Sequence, residues 1–287
     1  MNTTNRHFNL RAWVLLLVLS IAGCTTTKVT DKDSPYVGER TVPMGMVLEL
    51  ESVVLEEDRI LNVYLPQGYH PDSSASYPVI YLLDGSAYED YPHIVGLIQF
   101  LNLYAILPPA IVVGIANVDR YRDFSHPSTD PEDLEYLPTS GGSTNFINFL
   151  DNELQPYING RFSTNGHRTI IGQSMGGLLA TEVLFKHPQL FDDYLIISPS
   201  LWWDQQSMIN EAANYLSSSD LSAKRVFISL GEEHPVMHEV ADKLAAALRA
   251  SGPSDLEVIY QPLLEEDHAT ILHRAIYLGF EQLYSEE

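Results

Sequence analysis

The stretch that decides the fold is "TIIGQSMGGLLA", residues 169–180. An apolar run enters Gly172, the lone Ser174 follows, and Gly176 and Gly177 lead into helix-forming residues. The isoleucines read as the end of a buried strand and "LLA" as the start of a helix, so Ser174 stands at a sharp strand-to-helix bend. In a nucleophile elbow of this kind the serine is held in a strained conformation above the carboxyl end of the sheet. Glycines two residues to either side let neighbouring backbone approach without a Cβ clash. A G-x-S-x-G string is weak alone, because small residues often flank serines in turns. Between a strand and a helix it carries weight.

Outward from the elbow, strand-like and helix-like segments alternate from residue 46 to the end. "RILNVYLP" (59–66) alternates polar and apolar residues and predicts an early, half-exposed antiparallel strand. "YPVIYLLD" (77–84) and "PPAIVVGIAN" (108–117) are continuous apolar runs, as expected of strands buried on both faces. "FINFLDNELQPYI" (146–158) has helical spacing and precedes the strand "HRTIIGQ". Then come helix 177–187, strand 194–199, helix 204–217, strand 224–231, helix 236–250, strand 256–264 and a last helix, 269–284. The pattern predicts an α/β fold with a mostly parallel central sheet, helices on both faces and no large lid.

A serine hydroxyl needs a base to take its proton. The elbow fold expects the order Ser, acid, His, on loops after successive strands. His268, in "EEDHATI" directly after the last strand, is the expected base; His273, five residues on and inside the helix, reads as a surface or packing residue. The acid should follow "KRVFISLG", where the chain offers "EEHPVMHE". Glu233 is preferred to Glu232, and Asp267 ranks third because neighbours in sequence seldom point at one another. His234 and His238 have i, i+4 spacing, but Pro235 and the missing third ligand favour solvated helix residues over a metal site. The oxyanion donors are expected to be the N–H of Met175 and, from "LLDGSAYED", that of Ser86 or Ala87.

Taken together, "YPVIYLLDG", "GQSMGGLLATEVLFKHPQLFDDYLIISPSLWWD" and "EEDHATILHRAIYLGF" resemble the putative-esterase family of α/β hydrolases, the group of esterase D-like and enterobactin and salmochelin esterase-like enzymes. The resemblance covers nearly all of residues 46–284. It implies Ser174 as nucleophile, His268 as base, and a pocket lined by Ser198, Trp202 and Trp203. Two departures stand out. Gln173 replaces the usual histidine before the nucleophile, and His234 occupies the family's acid position, three residues after Gly231. The latter leaves the acid open between Glu233, Glu232, Asp267 and a Ser–His dyad. Arg120 and Arg122, in "NVDRYRDFSHPSTD", resemble the family's Arg-rich stretch. They receive an anionic substrate group or pair with surface acids.

At the amino end, Arg6 and Arg11 precede the apolar run "WVLLLVLSIA" (13–22), too short to span a bilayer and built like a signal peptide. It closes on "IAGC", which resembles a lipoprotein box with Cys24 as the lipidated residue. The expected organisation is a signal peptide at 1–23, a lipidated cysteine and flexible tether at 24–45, and a catalytic domain at 46–287. By the same resemblance, Thr25 after the cysteine favours a lipid-anchored protein of the outer membrane, facing the periplasm. Cys24 is the only cysteine, so no disulfide forms within the chain. The net charge of −22 becomes −24 without Arg6 and Arg11, which argues against nucleic acid as a partner.

The expected activity is serine carboxylester hydrolysis through an acyl-enzyme, with no metal or organic cofactor. Its partner is a small-molecule ester, with a siderophore trilactone as the narrower guess. The alternatives are an acyltransferase on the same fold and a non-catalytic envelope-binding lipoprotein.

Overall fold

In the buried runs both odd and even positions are apolar, and successive side chains of a strand face opposite ways. The sheet they form must therefore be covered twice. The computed structural model of the protein describes residue 42 and residues 44–284. The expected signal peptide, Cys24 and the tether up to residue 41 lie outside the described residues. Among the described residues no helix is long and apolar enough to cross a membrane.

Eight strands form one sheet: β1 (Met46–Ser52), β2 (Glu57–Tyr64), β3 (Tyr77–Leu82), β4 (Ile111–Ile115), β5 (Thr164–Gln173), β6 (Asp193–Ile197), β7 (Arg225–Ser229) and β8 (Glu257–Tyr260). Their spatial order is β1-β2-β4-β3-β5-β6-β7-β8. β1 and β2 form an antiparallel hairpin, β2 is antiparallel to β4, and every later pairing is parallel. Ile170, Tyr194, Ile196, Val226 and Ile228 enter one apolar layer, while Ile171, Leu195, Ile197 and Phe227 enter the other.

The second layer is covered by α1 (Tyr91–Leu103) and α10 (Ile271–Leu283). The first is covered chiefly by α4 (Ser143–Phe149), α5 (Gln155–Arg161), α6 (Met175–Lys186), α7 (Trp203–Asn210), α8 (Ala212–Ser218) and α9 (Pro235–Ser251). Two short helices intervene after β4, α2 (Arg120–Phe124) and α3 (Pro131–Tyr136).

The expected α/β architecture therefore forms, with local differences. The helix expected at 146–158 is interrupted by a π-helical turn, Leu150–Leu154, between α4 and α5. Pro156 lies near the start of α5, and because it has no N–H it cannot make the ordinary helical bond to the Asn152 carbonyl one turn back. The helix expected at 204–217 divides into α7 and α8, and Asp204, Gln205 and Gln206 adopt left-handed φ of 49°, 53° and 63°. The Asp204 carboxylate accepts from the Thr129 N–H (2.7 Å) and hydroxyl (2.9 Å) and from the Ser128 hydroxyl (3.2 Å). Its N–H donates to Asp133 Oδ2 at 2.8 Å, so the segment around α3 is pinned to the turn.

Candidate active site

The sharp bend forms at the end of β5, where Ser174 has φ 59° and ψ −118°, outside the regions a serine ordinarily occupies. Strain of this kind costs on the order of 1–3 kcal/mol and persists only where surroundings enforce it. Here the Ser174 N–H donates to the Ile197 carbonyl (3.0 Å), and its carbonyl accepts from the N–H groups of Leu178 and Ser200, both at 3.0 Å. A Cβ on Gly172 would lie 2.3 Å from the Gly176 carbonyl oxygen, so that position requires glycine. Gly176 meets only ordinary contacts at 3.5 Å; the second close approach is at Gly177, where a Cβ would stand 2.9 Å from Pro199 Cα.

Three more strand ends deliver side chains to the same end of the sheet, where ligands bind in open α/β folds. After β6 come Ser198, Ser200 and Trp202; after β7, Glu232, Glu233 and His234; after β8, Asp267 and His268. Ser174, Ser200, Trp202, Glu232, Glu233, His234, Met237, Asp267, His268 and Ala269 line one open cleft of about 520 Å³.

Of the three candidate acids, Glu233 meets the imidazole: His268 Nδ1 lies 2.8 Å from Glu233 Oε2. An ionised carboxylate only accepts, so Nδ1 carries a proton, and in the neutral ring Nε2 is the nitrogen left with a lone pair. Glu233 Oε1 accepts from the Ser198 hydroxyl (2.5 Å) and the Gly231 N–H (3.1 Å). Burial alone would raise the Glu233 carboxyl. The bonds from His268, Ser198 and Gly231 overcome it and hold the group below the usual carboxylate range, hence ionised at neutral pH. Glu232 is exposed, and its backbone N–H donates to the Glu266 carbonyl at 2.8 Å. Asp267 Oδ1 accepts from the N–H groups of Ala269 (2.9 Å) and Thr270 (3.0 Å), so it is spent on the turn that precedes α10 instead of on the ring.

His234 also has a local task, since its Nδ1 accepts from the Val236 N–H at 3.3 Å and caps α9. His238 Nε2 accepts from the Glu233 N–H at 3.4 Å, so the nitrogens of this pair are turned to separate tasks. Gln173, the other departure, donates from its side-chain amide to the His268 carbonyl and ties the base loop to the elbow.

The remaining expected site residues divide. Met175 contributes the first N–H of α6, one of the groups a helix leaves without an internal partner. The N–H of Ser86 is turned to Glu89 Oε2 at a long 3.4 Å, Ala87 is exposed, and neither lines the cleft.

Arg120 does not present a free charge. It holds Asp84 through both carboxylate oxygens at 2.6 and 2.9 Å and reaches the Gln173 carbonyl at 3.3 Å. Arg122 likewise spends its guanidinium on Glu57 and Asp123, beside the fully buried Arg59, at 2.6–3.0 Å. Both arginines therefore correct the expectation of anion receptors: internal acids satisfy them.

The tryptophans also separate. Trp202 lines the cleft, whereas Trp203 is 0 % exposed and its indole N–H donates to the His126 carbonyl at 2.8 Å, so Trp203 is a packing residue.

Sequence reasoning missed Ser200, whose Oγ stands 3.3 Å from that of Ser174, and the grip of Ser198 on Glu233. The one signal for either was their place after β6 in "SPSLWW".

A strained serine, an imidazole and a buried carboxylate around one cleft can carry out acyl transfer. A family model described as "Putative esterase" matches residues 52–260. The ferri-bacillibactin esterase BesA of Bacillus subtilis is 27% identical over 243 residues, covering 75% of this chain and 82% of its own. The siderophore enterobactin esterase of Emericella nidulans is 30% identical over 183 residues, 53% of this chain and 60% of that protein. Among solved structures, an IroE-like serine hydrolase from Shewanella oneidensis superposes with a TM-score of 0.76 at 30% identity, covering 83% of this chain and 79% of that one.

Proposed function

We propose that this chain, which belongs to the putative esterase family, is a serine ester hydrolase whose substrates are siderophore esters. The observation that carries the reading is the 2.8 Å contact between His268 Nδ1 and Glu233, opening on the cleft that holds the strained Ser174. In this reading His268 Nε2 takes the Ser174 proton as Oγ attacks the ester carbonyl. The tetrahedral oxyanion is met by the Met175 N–H at the positive end of α6. The imidazolium, stabilised by Glu233, then gives its proton to the departing alkoxide. Water activated by the same ring releases the acid and restores Ser174.

The siderophore part rests on the relatives' activities and on the breadth of the cleft, about 520 Å³, which suits a bulky ester. We also propose that the protein is lipidated at Cys24 and works at the outer membrane facing the periplasm; the "IAGC" box supports this. Incorporation of labelled palmitate into the wild-type chain and not into Cys24→Ala tests the anchor.

The activity is tested by incubating the purified chain with p-nitrophenyl butyrate and with a ferric triscatecholate trilactone, beside Ser174→Ala and His268→Ala. Turnover of both esters by wild type and by neither variant is expected. Turnover of the simple ester alone would remove the siderophore proposal and leave the esterase.

A further inference from the structure

Outside the cleft, two histidines from different helices face one another. His93 lies in the first turn of α1 and His273 in the first turn of α10, and their Nδ1 atoms are 3.2 Å apart. The other nitrogen of His93, Nε2, sits 3.2 Å from Asp90 Oδ1. A carboxylate only accepts, so the Asp90 contact places the His93 proton on Nε2 and leaves the Nδ1 lone pair aimed at His273. A second ring contact, between Phe100 and Tyr277 with centroids 6.3 Å apart, fixes the approach of the helices further along.

We infer that His93 Nδ1 and His273 Nδ1 form a two-nitrogen site for a divalent late transition-metal ion such as zinc. Zinc–imidazole bonds of about 2.05 Å at a tetrahedral angle put the two nitrogens about 3.3 Å apart, close to the spacing already present. The carboxylate behind the ligating ring is the partner that metal-bound histidines commonly have, and it orients the ring and raises its basicity. On binding, the metal displaces the proton shared by the two Nδ1 atoms, and His273 takes a proton at Nε2 through solvent, so both rings stay neutral and no net proton is released.

Among the described residues no group of three or more His, Cys, Asp or Glu is placed to hold a metal. Water or an exogenous ligand therefore completes the coordination, and binding is of the exchangeable, moderate kind. The site joins α1, which follows the Ser86 loop, to α10, which follows His268.

The test is a calorimetric titration of zinc chloride into the untagged, EDTA-treated full-length chain in detergent at neutral pH. The titration is repeated with His93→Ala, His273→Gln, Asp90→Asn and His234→Ala, and the Tm of each is read with and without zinc. One saturable equivalent is expected, weakened at least tenfold in either histidine variant and about tenfold in Asp90→Asn, and unchanged in His234→Ala. Zinc should raise the Tm of the wild type and not that of His93→Ala or His273→Gln. Binding that fails to saturate at millimolar zinc, survives both substitutions, or is lost instead with His234→Ala overturns the inference and leaves a plain histidine–histidine hydrogen bond.

Discussion

Replacing Glu233 by glutamine keeps the side-chain shape and removes its charge. Two donors, the Ser198 hydroxyl at 2.5 Å and the Gly231 N–H at 3.1 Å, converge on Oε1. The glutamine carbonyl oxygen must take that place, which turns its NH2 toward His268 Nδ1, where Oε2 now stands at 2.8 Å. A donor facing a donor drives the imidazole proton from Nδ1 to Nε2, and a protonated Nε2 cannot take the serine proton. Where a triad carboxylate is exchanged for an amide in a serine protease, the wrong tautomer lowers kcat by about 10⁴. A loss of about 10³–10⁴ in kcat is expected here, or about 4–5.5 kcal/mol of barrier at about 1.4 kcal/mol per decade. KM should move little, because the interaction acts on the transition state and not on substrate binding. The assay is steady-state hydrolysis of p-nitrophenyl butyrate by Glu233→Gln and Glu232→Gln, with Tm as a control for folding. Retention of more than a tenth of wild-type kcat by Glu233→Gln would refute the reasoning and leave a Ser–His dyad. An equal loss in Glu232→Gln would show that the acid had been misassigned.

Three other outcomes follow from the same geometry. Trp203→Ala empties a fully buried site and should cost about 3–5 kcal/mol in urea unfolding, whereas Trp202→Ala, at the cleft wall, should raise KM with stability nearly unchanged. Gly172→Ala drives a methyl to 2.3 Å from the Gly176 carbonyl oxygen and displaces the elbow; a destabilisation of about 1–3 kcal/mol with loss of turnover is expected, and an active, fully stable variant would contradict the elbow's packing. The third outcome concerns pH. His167 is held above the usual histidine range, first by its bond to Asp193, so its contribution is fully present below about pH 6.5 and is lost as pH rises through the folded value. The stability advantage of wild type over His167→Gln should therefore shrink in urea unfolding as pH rises above about 6.5. A constant or growing difference would contradict that sign.

What was legible in the sequence was whatever local pattern controls. The buried strands announced themselves as apolar runs, and the elbow as glycines around one serine between a strand and a helix. His268 was singled out because chain order in this fold leaves one loop for the base, and the structure sets that ring 2.8 Å from Glu233. The acid was underdetermined because Glu232 and Glu233 are adjacent, and which of them reaches the ring depends on how Ser198 and Gly231 hold one carboxylate. Arg120 and Arg122 misled for the opposite reason. A basic pair near the carboxyl end of a sheet looks like an anion receptor, and only the tertiary structure brings Asp84, Glu57 and Asp123 to it. The two tryptophans, neighbours in sequence, could not be sorted until the turn at Asp204–Gln206 buried one and left the other at the cleft.

The central claim is that Ser174 Oγ forms the covalent intermediate, and Ser200, whose hydroxyl is 3.3 Å away, is the obvious rival. The most direct measurement is the intact mass and peptide map of the protein after reaction with a fluorophosphonate, for wild type, Ser174→Ala and Ser200→Ala. One adduct, on Ser174, is expected in wild type and Ser200→Ala, with none in Ser174→Ala. An adduct on another residue, or undiminished labelling of Ser174→Ala, would contradict the account.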